Sequence, residues 1–247
     1  MPALKQDIAA PTAEPRETVA KPAKPRARRT KVEQRADKME QILDAAEYLF
    51  SIHGLYGVTL KDVAQRVGVH HTLLNYYFTD KKKLFDAVMG RRAEVTIKLR
   101  MEALDRYDAE TNGKPTVEGA LRAFLDTDLD LYSQGGEAWK NYGALGAQVS
   151  NTTYGAELMD FHFDQVVLKL IGLLKKALPD CPEEDIFWGY HFVTGALMLT
   201  LARTGRINRL SGGLCDSDDF EAVKARMASF LAAGFLSICQ QRAAGSR

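Results

Sequence analysis

The chain has 247 residues, 46% hydrophobic and 26% charged, which suits a globular protein of one or two domains with a substantial core. A formal net charge of +1 excludes a global drive onto nucleic acid, so any attraction to DNA must come from local asymmetry. No apolar run approaches the roughly 18 to 20 residues of a membrane span, and the start lacks the hydrophobic segment of a signal peptide. A cytoplasmic protein with no membrane partner is therefore expected. Cys181, Cys215 and Cys239 are odd in number, widely separated and without CxxC spacing. They are expected as small apolar residues rather than as a redox sensor.

Residues 1 to about 36, rich in Ala, Pro, Lys and Arg and without apolar periodicity, are expected to form a disordered basic arm. Its segment from Lys21 to Lys31, KPAKPRARRTK, has six basic residues and no acid. It reads either as a solubilising tail or as an arm that follows the phosphate backbone or enters a minor groove. A helix is expected from Lys38 to His53, with Met39, Ile42, Leu43, Ala46, Leu49 and Phe50 along one side and Gly54 as its stop. It opens a three-helix unit over residues 37–82.

The stretch from Thr59 to Lys81, TLKDVAQRVGVHHTLLNYYFTDK, supplies the other two helices. Thr59 is placed as an N-cap, and Leu60, Val63, Ala64 and Val67 recur at helical spacing. Gly68 takes a left-handed conformation without steric penalty, so Gly68-Val69 makes the sharp turn of a helix-turn-helix. In the second helix, about His70 to Phe78, Leu73, Leu74 and Tyr77 pack inward while His71, Thr72, Asn75 and Tyr76 face out. That outer face is polar and uncharged, as suits contact with base edges in a major groove.

The run Thr59, Ala64, Gly68-Val69, Leu74, Tyr77-Phe78, Lys81, Leu84 resembles the DNA-binding signature of the TetR family of bacterial regulators, over about Lys38 to Met89. The resemblance implies an all-α fold: an N-terminal helix-turn-helix domain joined by a long helix to a helical ligand-binding and dimerisation domain. It also implies that His71, Thr72, Leu73 and Asn75 face bases, while Thr59, Lys61, Tyr77 and Lys81 hold phosphates. Family members commonly carry an aromatic at the position of Asn75 and a Ser at that of His70, so the operator preference of relatives does not transfer.

Beyond the turn, Asp80 caps a long helix to about Tyr107, which reaches roughly 40 Å and joins the reading head to a separate body over residues 83–247. Its first turn holds Lys81, Lys82 and Lys83, where the helix dipole favours acids; an arriving phosphate would relieve that mismatch. Asn112-Gly113 with Pro115 breaks the chain before helices at Thr116 to Gln134, Glu137 to Val149, Thr152 to Leu178, Glu183 to Arg203 and Ser217 to Ala243. Asp126 and Asp130 share a face and read as the wet side of their helix.

The last two long helices are apolar around much of their circumference and want cover on two sides. A second copy is the simplest partner, giving a symmetric four-helix interface that includes Tyr190, Leu197, Met198, Phe230 and Phe235. The family resemblance implies the same homodimer. Met101, Phe124, Tyr132, Trp139, Tyr142, Phe161 and Phe163 are the candidates for a ligand pocket, with His162 or Arg106 placed to meet a carboxylate. Together they favour a small apolar effector: fatty-acyl, sterol-like or aromatic. The segment LPDCPEEDIFWGYHFVTGAL also resembles members that sense fatty acids or their coenzyme A thioesters.

The expected function is a ligand-responsive dimeric regulator, by family default a repressor, whose partners are a palindromic DNA operator, a second copy and the effector. The alternative is a DNA-bound scaffold or activator that works through a protein partner. The sequence has no phosphate-cradling glycine loop, no GxSxG and no HExxH, which argues against an enzyme. Adjacent His70 and His71 point about 100° apart on a helix, so no metal and no cofactor are expected.

Overall fold

The computed structural model describes residues 30–245, with side chains to Gln240, and these residues form helices and no strand. The basic arm expected over residues 1–36 lies outside the described residues up to residue 29. From there the expectation is corrected: α1 spans Lys31–His53, well ahead of Lys38. Thr30 and Glu33 explain the early start, because they form a capping box in which each side chain accepts from the other's backbone N–H.

α2 (Leu60–Val67) and α3 (His71–Tyr77) follow α1 and pack with it around Ile42, Phe50, Val63, Ala64 and Leu74. α4 (Lys81–Glu110) is a single helix of 30 residues, roughly 45 Å long. Its buried stripe of Phe85, Met89, Ala93, Thr96, Arg100 and Leu104 runs without a break from the small head into the body. The body adds α5 (Val117–Gln134), α6 (Glu137–Val149), α7 (Thr153–Ala177), α8 (Glu183–Leu201) and α10 (Phe220–Gly245). α5 packs on α4 and α10, and α6 reaches from α8 across to α1. A five-residue helix, α9 (Arg206–Leu210), falls where the sequence pattern offered only a connection. Asn208 steadies it by donating to Asp216 and accepting from the Ser217 N–H.

The junction of head and body is a buried carboxylate. Glu47 on α1, 3% exposed in its side chain, accepts from Arg91 Nη2 at 2.9 Å and from Arg92 Nη2 at 2.9 Å. Arg91 also reaches Glu40 and Asp44, both at 2.8 Å, so α4 is tied along α1 at about its fourth turn. The Arg92 guanidinium lies 4.9 Å over the Trp139 ring of α6. Gln148 of α6 donates to the Ser51 carbonyl at 2.8 Å, a second tie between α1 and the body.

Three sequence expectations change in the body. Cys181 and Cys239 are joined by a disulfide, because helix packing brings the α7–α8 connection beside α10 across a separation of 58 residues; Cys215 is free and exposed. α10 contains a window, Phe220–Gln240, long and apolar enough to cross a membrane, contrary to the reading that no run approaches that length. One side of it, with Ala228, Leu231, Ala232 and Phe235, is covered within the chain. The residues expected at the dimer interface also divide differently. Tyr190, Leu197 and Met198 turn inward, and Phe235 is buried where Gly189 lets α10 approach α8: a Cβ on Gly189 would stand 2.2 Å from the Phe235 ring. Phe230 alone of the five is strongly exposed, at 76%.

Two measurements check this packing. At Gly155 a Cβ would stand 1.8 Å from the Val149 carbonyl oxygen, so Gly155→Ala should destabilise the protein by about 1–3 kcal/mol in urea unfolding. Glu47→Gln leaves Arg92 without its carboxylate and Arg91 with only Glu40 and Asp44, and should cost about 3 kcal/mol in the same assay. A midpoint unchanged by Glu47→Gln would show that the clamp does not hold the head.

Candidate functional site

The α2–turn–α3 unit is built by local hydrogen bonds. Thr59 caps α2: its Oγ1 accepts from the Asp62 N–H at 3.2 Å and donates to Asp62 Oδ2 at 2.7 Å. That hydroxyl bond, together with the Thr59 N–H donating to the same oxygen at 2.8 Å, holds the Asp62 carboxyl below its ordinary range. Gly68 sits in the left-handed region, φ 71 and ψ 36, and Val69 N–H closes the turn on the Ala64 carbonyl at 3.0 Å. His70 does not enter the helix. It is the N-cap of α3, with Nδ1 2.9 Å from Thr72 Oγ1, and its ring lies 4.5 Å from that of His71.

Of the expected base-facing residues, His71, Thr72 and Asn75 are exposed, and Leu73 is half-buried beside the fully buried Leu74. Of the expected phosphate holders, Lys61 and Thr59 are exposed while Tyr77 and Lys81 are half-buried. Lys81 Nζ donates to the Tyr56 carbonyl at 3.4 Å and lies 5.6 Å from that ring, so its head is held at the mouth of the turn. Sequence reasoning missed Arg35. Its guanidinium lies 5.4 Å from the Tyr77 ring and 5.9 Å from the Tyr76 ring, which sets a cation beside the exposed face of α3. The signal was hidden because Arg35 fell within the segment assigned to the arm.

In the body, α4 to α8 enclose a cavity of about 210 Å³. Phe124, Tyr132, Tyr142 and Phe163 line it, together with Tyr190, Leu197 and Met198 from the group expected at the dimer interface. Met101, Trp139 and Phe161 do not. Successive helical residues point about 100° apart, so Met101 turns away when Arg100 faces the cavity, and Phe161 turns outward, 82% exposed, when Phe163 faces in. Trp139 is committed to Arg92 and to an edge contact with Tyr142. Neither expected carboxylate partner lines the space: His162 lies against Gly90 of α4, its pKa lowered by burial, and Arg106 lines a shallow surface depression.

The buried charged groups of the cavity are instead Arg100 and Asp128, an ion pair at 2.6 Å between Nη2 and Oδ2 with both residues about 95% buried. The Arg100 guanidinium also lies 4.2 Å over the Phe124 ring. Burial pushes the Asp128 carboxyl up, against the pull of Arg100, and raises the Tyr132 and Tyr142 hydroxyls further above their ordinary range. Register carried the missing signal. Arg100 continues the buried stripe of α4, and Asp128 stands among Leu121, Phe124, Leu125 and Tyr132 on the buried side of α5. Asp130 and Asp126 are both half-buried; Asp130 receives Lys224 of α10 at 2.5 Å, and burial raises the Asp126 carboxyl.

Known proteins resemble this chain in sequence and fold. The family described as "Bacterial regulatory proteins, tetR family" matches residues 42–88, and "Tetracyclin repressor-like, C-terminal domain" matches residues 122–234. The HTH-type transcriptional regulator BetI of Escherichia coli is 25% identical over 153 residues, 62% of this chain and 76% of that protein. A TetR-family regulator of Mesorhizobium loti MAFF303099 superposes with a TM-score of 0.51 at 16% identity, over 82% of this chain and 96% of that one. A TetR-like regulator of Rhodococcus sp. RHA1 gives a TM-score of 0.52 at 20% identity, over 85% and 97% of the two chains. The head with its exposed α3, the long α4 and the helical body with its own cavity agree with both matched family domains, and the chain belongs to the TetR family of bacterial transcriptional regulators.

Proposed function

We propose that the protein is a homodimeric repressor that places two α3 helices in successive major grooves of a palindromic operator and leaves the DNA when a small effector fills the cavity. The observation that carries this reading is the course of α4. Arg91 and Arg92 hold α1 of the head, and Arg100, two turns further on and about 12 Å away, lines the cavity. A ligand that moves Arg100 acts on a rigid helix fixed to the reading head. The coupling needed is modest, about 1–3 kcal/mol, for an occupancy change of roughly 5- to 150-fold.

The second copy has a surface to use. Trp188, Phe192, Gly195 and Leu199 recur at i, i+4, i+7 and i+11 on the exposed side of α8, and α10, which packs on α8, exposes Phe230 and Leu236. A solvent-facing apolar stripe across two packed helices suits an isologous four-helix interface, with Gly195 allowing close approach. Two heads about one turn of DNA apart, roughly 34 to 36 Å, then read a palindrome that one short helix cannot specify.

The tests use the full-length chain and an operator selected from genomic fragments. Sedimentation should give a dimer, and Phe230→Glu should yield a folded monomer that loses operator binding. A monomeric wild-type protein that still binds the operator at full strength would overturn the dimeric reading. In fluorescence anisotropy, Asn75→Ala should relax base choice, whereas Lys61→Ala should weaken all sequences alike and lower the salt slope by about one. Uniform loss in both would refute the division of the head into base and phosphate contacts.

A further inference from the structure

Resting on the reading of the cavity as the effector site, we infer that it is built for an uncharged ligand bearing a hydroxyl on an apolar or aromatic frame, and that Arg100 and Asp128 hold that hydroxyl jointly. The pair is joined through Nη2 and Oδ2 only. Arg100 Nε and Asp128 Oδ1, the neighbouring atoms on the two groups, are buried and have no hydrogen-bond partner. Native interiors satisfy such atoms, because each one left unmet keeps the full cost of its lost hydration. One group meets both needs. A hydroxyl oxygen accepts from Nε while its proton is donated to Oδ1, which neither a hydrocarbon nor a carboxylate does.

The surrounding charge points the same way. Exposed Asp160 and Asp164, one helical turn apart on α7, form the rim of the cavity, so its lining holds three carboxyl groups with Asp128 against one guanidinium. A carboxylate ligand would meet this field at the entrance and then compete with Asp128 for Arg100. A cationic head would suit the rim but leave Nε unmet. Phe124, Tyr132, Tyr142 and Phe163 provide the apolar walls for the remaining frame. This departs from the fatty-acid class suggested by the resemblance of the segment around Trp188.

The test is calorimetric titration of the full-length protein with three matched probes: biphenyl, biphenyl-4-ol and biphenyl-4-carboxylate. The alcohol should bind at least about tenfold tighter than the hydrocarbon, and the carboxylate should bind weakest. The double variant Arg100→Met/Asp128→Leu replaces the pair with apolar side chains and avoids leaving either charge buried alone. It should still bind biphenyl and lose the preference for the alcohol. Equal affinities for alcohol and hydrocarbon, tightest binding of the carboxylate, or an alcohol preference that survives in the double variant would overturn the inference while leaving the cavity as the effector site. Binding of none of the three, with no thermal stabilisation by any of them, would overturn both this inference and the effector-site reading beneath it.

Discussion

A carboxylate buried between two helices is the constraint on which the rest of the structure depends. Glu47 sits on the inner side of α1, where an acid is costly unless paired, and both Arg91 and Arg92 come to it from α4. Apolar contact alone would let α1 slide against α4. Directional bonds from two guanidinium groups fix register and angle together. Because Arg92 also stacks on Trp139, the same few atoms set α1, α4 and α6 relative to one another. The orientation of α3, which packs on α2 as α2 packs on α1, follows from this arrangement.

Local chemistry was the legible part of the sequence. Thr59, Gly68, Asp80 and Thr116 each act through neighbours three or four residues away, and each stands where the spacing puts it, as an N-cap or a left-handed C-cap. The beginning of α1 was misread because a basic, proline-rich run hides a capping box at its end, and a cap needs only Thr30 and Glu33. What sequence could not supply was the direction of side chains on helices apolar all round. Leu197 and Phe235 look like interface residues by composition, but packing of α8 against α6, α7 and α10 turns both inward. The short α9 was invisible for a related reason: its support comes from Asn208, Asp216 and Ser217 bonding across a loop.

The cavity joins two tendencies that usually oppose each other. Its walls are apolar and aromatic, which favours dry burial, and its floor carries an ion pair with an orphaned atom on each side. Foldability alone would replace Arg100 and Asp128 with hydrophobic residues of similar volume. Polar groups placed at core register on two helices, and left partly unmet, are the kind of departure from local rules that concentrates at functional sites. The search by aromatic content found the walls. The search that would have found the floor asks which charged residues interrupt a buried stripe.

The tie between Cys181 and Cys239 has a different consequence, set by where such a protein works. In a compartment whose thiol pool keeps most cysteines reduced, this covalent link is not the permanent fastening of α10. What holds the reduced chain there is packing: α10 lies along α5, and the Phe235 ring lodges in the notch at Gly189, where α8 has no side chain to push it out. A glycine thus keeps by shape what a sulfur bridge would keep by a bond.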